Sequence, residues 1–198
     1  MLKFTKKEAE SVARVGALID PHEPHKVVIL ARSSAYGAGL LMACRVEGNG
    51  IERRAALLSC RESRGPRFVH EVVNMAAGHK NPLLVMTGDF SEYMADSLRH
   101  TYAIPSVQIY KPGMACTGIT AQGVYFNQKA FCAHTAAIAA KGGRVSFHGM
   151  PADIRAALQQ QLRQLEFRST RGGRIAVENA GGKKLSLLSV VFGENLRL

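Results

Sequence analysis

One carboxylate, Asp89, stands where enzymes often place an acid, in the turn that follows a buried strand. The apolar run 83–87 predicts this strand, and the segment after the turn, 91–101, has the apolar spacing of a helix. An acid at this position can bind a metal ion, or it can be a turn residue that caps the helix beside Ser91. The cap or turn role is favoured, because the centre of the strand carries only apolar side chains.

Basic residues form two groups along the chain. The first surrounds the Gly-Gly turn of a predicted hairpin and continues after it: Arg168, Arg171, Arg174, Lys183 and Lys184. The second lies around a predicted third strand and the start of the next helix: Arg53, Arg54, Arg61, Arg64 and Arg67. Guanidinium groups bind phosphate through paired hydrogen bonds, so both groups suit a nucleic-acid backbone. The alternative is a solvated edge, because charges also protect exposed strands from pairing.

The charge balance also favours a polyanionic partner. The 198 residues include 26 Lys and Arg against 15 Asp and Glu, which gives a formal net charge of +11. Each phosphate contact releases counterions, so nucleic-acid-binding proteins commonly carry such a surplus, although a merely basic surface has the same composition. A basic N-terminus without a signal-like apolar stretch, and no apolar run of about 20 residues, predict a cytoplasmic protein with no membrane partner.

Other chemistry is not supported by the residue spacing. The four cysteines have no C-x-x-C pair, which indicates buried thiols rather than a zinc site. The seven histidines lack the H-x-x-x-H spacing that places two imidazoles on one helical face. The glycine-rich segments lack the G-x-x-x-x-G-K-[ST] loop of ATPases. These residues therefore predict no metal site and no cofactor.

The predicted elements define an α/β fold. Residues 26–34, 35–50 and 51–63 predict three sequential antiparallel strands, since tight turns separate them. Shorter strands then alternate with helices, which we predict at 67–78, 91–101, 128–141 and 152–165, and a hairpin follows at 166–179. Ser91 is the predicted N-cap of the second of these helices, and Asn127 that of the third, which is rich in alanine. This order is that of a ribonuclease H-like mixed sheet flanked by helices. Residues 1–25 are predicted as a helix and a linker, and residues 26–198 as a single domain.

Several segments resemble one known family. "VILARSSAYGAGLL" resembles its opening strands, residues 83–99 its strand–turn–helix with the pattern D-x-T/S-G-x-G, and "RGGRIAVENAGGKK" its late hairpin. On these segments the chain, over roughly residues 26–195, is similar to the C-terminal nuclease domain of bacteriophage large terminases, particularly of Mu-like phages. The resemblance implies a ribonuclease H-like fold, DNA or a DNA-packaging protein as partner, and a phage or prophage origin.

The departures from the family pattern concern its metal-binding acids. Nucleases of this kind hold two divalent metals between carboxylates, which stabilises the attacking and leaving oxygens. The first-strand position here reads Ile29-Leu30-Ala31, the central-strand position is Met86 or a neighbour, and the late segment has no acid before Glu194. The resemblance therefore implies a nuclease-like protein whose catalytic acids have been lost.

Three functions follow as alternatives. The first is a catalytically inactive, terminase-nuclease-like protein that binds DNA or a phage packaging partner. The second is an active DNA nuclease that depends on magnesium or manganese and uses a rearranged site formed by Glu62, Glu71 and Asp89. The third is a structural or interaction module that does not bind nucleic acid.

Overall fold

The structure, a computed structural model, describes residues 2–14, 25–34, 39–63, 67–120, 123–194 and 196–198. Six helices lie in this part of the chain: α1 (Lys6–Arg14), α2 (Phe68–Ala77), α3 (Ser91–His100), α4 (Gln128–Lys141), α5 (Ala152–Arg163) and α6 (Lys183–Leu188). None of them is long and apolar enough to cross a bilayer.

Ten strands occur in the same described part of the chain. They are β1 (Lys26–Ser33), β2 (Gly39–Glu47), β3 (Arg54–Ser63), β4 (Leu83–Gly88), β5 (Val107–Ile109), β6 (Ile119–Thr120), β7 (Gly123–Val124), β8 (Val145–Ser146), β9 (Leu165–Ser169) and β10 (Ile175–Ala180). Two 3₁₀ turns, Gly50–Glu52 and Ser189–Phe192, complete the elements.

One mixed sheet organises the fold, with the strand order β5-β4-β1-β2-β3-β8. Strands β1, β2 and β3 are antiparallel neighbours, whereas β4 and β5 run parallel to β1 and β8 runs parallel to β3. The predicted ribonuclease H-like sheet and its three sequential antiparallel strands are confirmed. The predicted helices and the late hairpin, formed by β9 and β10, are confirmed within two residues at each end.

The central strand β1 is buried on both faces, because side chains of a strand alternate between them. Ile29 packs with α2 and α3 on one face, and Leu30 packs with α4, α5 and α6 on the other. The second face also receives α1, through Ala9 and Val12, together with Phe4 just before the helix. The division into a linker at 1–25 and a domain from 26 stays a prediction, since residues 15–24 lie outside the described part.

Two predictions concern the caps of helices. Asn127 caps α4 as predicted, since its side chain accepts a hydrogen bond of 2.9 Å from the backbone N–H of Ala130. The prediction that Ser91 caps α3 is wrong. Ser91 is the first residue of that helix, and the cap position belongs to Phe90, which has a left-handed backbone (φ 57°) and no side-chain cap.

The segment 183–192 closes the larger core. Its buried side chains cover the sheet face that Leu30 contributes: Leu185, Leu187, Leu188, Val190, Val191 and Phe192. Arg53 holds this segment in place, because its guanidinium donates hydrogen bonds to the carbonyls of Val191 (2.7 Å), Gly193 (3.2 Å) and Leu196 (3.2 Å). The carbonyls of Val191 and Gly193 lie at the end of the 3₁₀ turn Ser189–Phe192, where a positive charge is stabilised.

Candidate functional site

The carboxyl ends of β1, β4 and β5 meet at one edge of the sheet and open into a cleft of about 600 Å³. In the register of β1 and β4, Arg32 lies beside Thr87, and Ser33 lies beside Gly88. Helix α6 forms another wall of the cleft, with Lys183 and Ser186. Ligands of open α/β sheets bind outside the carboxyl ends of the strands, so this position makes the cleft the candidate site.

The walls of the cleft are strongly basic. Among the described residues, four cationic side chains and one acid line it: Arg32, Lys111, Lys129, Lys183 and Asp89. Lys111 binds Glu92 at 2.5 Å. Within the described residues, the side chains of Arg32, Lys129 and Lys183 have no ion-pair or hydrogen-bond partner. Like charges in a concave surface raise the local concentration of anions, so the cleft is suited to phosphate groups.

The backbone at the floor of the cleft is fixed by a close approach of two strand ends. Gly88 has a φ of +90°, and a Cβ at this position would lie 2.2 Å from the carbonyl oxygen of Ser33. Only glycine fits there. The Ser33 hydroxyl donates to the Asp89 carbonyl, and the Asp89 N–H donates to the Ser33 carbonyl at 3.3 Å. These bonds join the turn after β4 to the end of β1, next to Arg32.

The three acids of the proposed rearranged metal site occupy different environments. Asp89 lies exposed in the turn before Phe90 and lines the cleft. Glu62 lines an adjoining cavity of about 240 Å³, to which Asp89 also contributes, and its carboxylate binds Lys184 at 2.5 Å. Glu71 belongs to α2, on the opposite face of the sheet from α6. The structure therefore brings Glu62 and Asp89 near one another but leaves Glu71 apart.

The donor set of the cleft does not fit a pair of divalent metals. Such a pair is normally held by several carboxylates, because hard cations prefer oxygen ligands of negative charge. Here one carboxylate faces four cationic side chains. In the described part of the chain, no three His, Cys, Asp or Glu side chains are grouped to hold a metal ion. The first-strand residues Ile29 and Leu30, and Met86 of β4, are fully buried.

Glu194, the late acid, is engaged elsewhere. Its carboxylate accepts hydrogen bonds from Thr117 (2.5 Å), Gln128 (3.0 Å) and the thiol of Cys116 (3.2 Å). Burial raises the pKa of Glu194, but these hydrogen bonds outweigh burial and lower the pKa overall. Glu194 therefore ties the loop before α4 to the C-terminal segment.

The basic residues predicted to bind nucleic acid separate into distinct positions. Arg168, Arg171 and Arg174 are exposed on the β9–β10 hairpin, and Lys183 faces the cleft. The side chain of Lys184 is only 17% exposed and is paired with Glu62, so the five residues of the first group do not share one exposed face.

The second predicted group needs one correction. Arg53 is 4% exposed and donates to three backbone carbonyls, so it is a structural residue and has no guanidinium face for a phosphate. Arg54 is exposed and pairs with Glu47 at 3.2 Å, and Arg67 is exposed before α2. Arg64 lies outside the described residues.

Three cationic residues of the cleft were not predicted from the sequence: Arg32, Lys111 and Lys129. A usable signal was present for two of them. Arg32 stands at the end of the buried run of β1, and Lys111 stands two residues after β5. The carboxyl-end rule applied to the predicted strands would have selected both residues. Lys129 has no such signal, because only the fold brings α4 to this edge.

The hairpin arginines remain a predicted second contact. Arg171→Ala with Arg174→Ala should weaken DNA binding and reduce its log–log dependence on salt by about two units, since each phosphate contact contributes about one. Fluorescence anisotropy at several salt concentrations measures both quantities. Lys3→Ala with Lys7→Ala, which removes the same charge from exposed positions, is the control. A slope equal to that of the control would exclude the hairpin from the interface.

Solved structures of phage terminase nucleases share this fold. A mutant nuclease domain of the large terminase subunit gp2 of bacterial virus Sf6, with manganese, aligns over 97% of this chain and 99% of its own length, with a TM-score of 0.61 and 10% identity. A large terminase nuclease from the thermophilic phage G20c, with bound magnesium, aligns over 97% of this chain and 96% of its own length, with a TM-score of 0.54 and 12% identity. The nuclease domain of the large terminase g2p of bacteriophage SPP1, with bound manganese, aligns over 84% of this chain and 85% of its own length, with a TM-score of 0.50 and 6% identity.

These comparisons confirm the predicted terminase-nuclease-like, ribonuclease H-like fold. No protein-family model and no curated protein matches the sequence. At 6–12% sequence identity, these comparisons show a shared fold alone.

Proposed function

We propose that the protein is a terminase-nuclease-like protein of a phage or prophage that binds DNA, in the cytoplasm of the bacterial host, without cleaving it. The observation that carries the proposal is the composition of the cleft. At the strand ends where the fold presents its ligand site, four cationic side chains accompany one carboxylate.

The side chains of the cleft supply positive charge, whereas a two-metal site requires negative charge. A two-metal site needs negative side chains to offset the repulsion and desolvation of the metals, and the metals then bind phosphate. In this cleft, ammonium and guanidinium groups supply positive charge directly, and they would repel a divalent ion. Phosphate binding of this kind requires neither magnesium nor manganese.

The partner follows from the geometry and from the relatives. Arg32, Lys129 and Lys183, which have no partner in the described part of the chain, lie in one concave surface, as expected for contact with several phosphates of a chain. The solved relatives are large terminase nucleases of phages, which supports DNA, or a DNA-packaging complex that contains it, as the partner.

The test is a measurement of binding and cleavage with the purified protein. We expect DNA binding that weakens steeply with salt and is unchanged by EDTA, because side chains supply the positive charge. Incubation of single- and double-stranded DNA with magnesium or manganese should leave both intact. Metal-dependent cleavage that disappears in Asp89→Ala or Glu62→Ala would refute the proposal and establish the rearranged nuclease site. Loss of binding in EDTA would also contradict it.

A second candidate, an interaction module for a protein partner, is favoured by one surface. Apolar side chains on and around the β6–β7 hairpin are unusually exposed: Met114, Ile119, Val124 and Phe126. Exposed apolar patches mark protein contacts. If the protein binds no DNA at low salt, this module becomes the preferred function.

A further inference from the structure

We propose that the nucleic acid bound in the cleft is single-stranded, and that its unpaired bases stack on the rings of Phe90 and Tyr93. The inference rests on the proposed function, because the basic cleft must first hold the phosphates. It adds the state of the nucleic acid and the residues that recognise this state.

Both rings face solvent at the start of α3, whose first residue, Ser91, lines the cleft. Phe90 is 67% exposed and Tyr93 is 76% exposed. Phe90 lies between Asp89 and Ser91, which both line the cleft, and Tyr93 follows in the first turn of α3. The neighbouring Glu92 binds Lys111 of the cleft wall, which fixes this end of the helix beside the basic surface.

The backbone of Phe90 supports a role for its ring. The residue occupies the left-handed region (φ 57°, ψ 17°) and offers the helix no side-chain cap. Glycine or asparagine adopts this conformation with less strain, and asparagine prefers turns. A phenylalanine here adds backbone strain and an exposed apolar ring, and neither is needed for the turn. Strained residues cluster at ligand-binding sites.

Charge complementarity selects the occupant of this surface. Proteins that bind single strands combine a positive groove for the backbone with aromatic rings on which bases stack. The cleft supplies Arg32, Lys129 and Lys183, which have no partner among the described residues, and the adjoining start of α3 supplies two exposed rings. The bases of an intact duplex are already stacked on one another, so they cannot cover these rings. A single strand can satisfy both parts of the surface at once.

The experiment compares a fluorescein-labelled oligo-dT with a DNA duplex of equal length. We expect the wild-type protein to bind the single strand more tightly. Phe90→Asn with Tyr93→Ala should weaken binding of the single strand about tenfold or more, because stacking is lost at two rings. Binding of the duplex, and the salt dependence of both, should stay unchanged because the cations remain. Asparagine suits the left-handed backbone of residue 90, so the variant is expected to fold.

Two further variants separate stacking from general apolar contact. Tyr93→Phe keeps the ring and should keep the affinity for oligo-dT. Ile119→Ala removes an apolar side chain of equal exposure, 76%, that does not line the cleft, and it should have no effect. Equal binding of single strand and duplex, with no effect of the ring substitutions, would overturn this inference and leave the proposed function standing. A wild-type protein that binds neither DNA would refute both.

Discussion

Replacing Arg32, Lys129 and Lys183 together with alanine is expected to lower the affinity for DNA by at least about a hundredfold at moderate salt. Each side chain is a cation of the cleft wall without a partner among the described residues. A hydrogen bond to a charged group contributes about 1.5–3 kcal/mol, and three such contacts are lost. The salt dependence of binding should fall by about two to three log–log units, at about 0.7–0.9 for each phosphate contact.

Anisotropy titrations over a series of salt concentrations measure both effects. The matched control is Lys3→Ala, Lys6→Ala and Lys7→Ala, which removes the same charge from exposed positions at and before α1. If the two triple variants lose the same affinity and slope, net charge rather than the cleft governs binding. The cleft would then no longer be the candidate site.

Arg53→Ala is expected to lower the free energy of unfolding by about 3–5 kcal/mol, the range found when one partner of a buried charged contact is removed. The substitution leaves the carbonyls of Val191, Gly193 and Leu196 without their donor. Buried polar groups without a partner cost about 1–3 kcal/mol each. Burial lowers the pKa of the guanidinium, but an arginine remains charged at neutral pH, so the contact persists.

Urea denaturation followed by circular dichroism measures the loss. The neighbouring Arg54→Ala is the control, since its exposed pair with Glu47 should contribute about 1 kcal/mol or less. Arg53→Lys should fall between the two, because an ammonium group is a less extended donor than the guanidinium fork. Equal stabilities of Arg53→Ala and Arg54→Ala would show that the hydrogen bonds to the C-terminal segment contribute little.

The sequence was informative wherever a local pattern determines structure. The apolar run of β1, the alanine-rich α4 with its Asn127 cap and the Gly-Gly hairpin turn are local features, and all three were predicted. The adjacent Arg53 and Arg54 show where local sequence patterns fail to predict the structure. Both looked like surface cations, but one is buried by a segment about 140 residues later in the chain. No local pattern records such a contact.

The candidate site was predicted only in part for the same reason. Asp89 was placed correctly in its turn, and Lys183 was selected among the basic residues. The cleft itself depends on the junction of β1, β4, α4 and α6, which lie far apart in the sequence. The cap of α3 was misassigned because Phe90 adopts a backbone conformation that its residue type disfavours.

The core-closing segment 183–192 has a consequence for the synthesis of the protein. The sheet face formed by Val28, Leu30 and Met42 is covered partly by this segment, which leaves the ribosome after every strand of the sheet. During translation this apolar face therefore emerges without part of its cover. Exposed apolar surface of a nascent chain invites chaperone binding or aggregation, so the domain is expected to reach its native state only after residues 183–192 have been released.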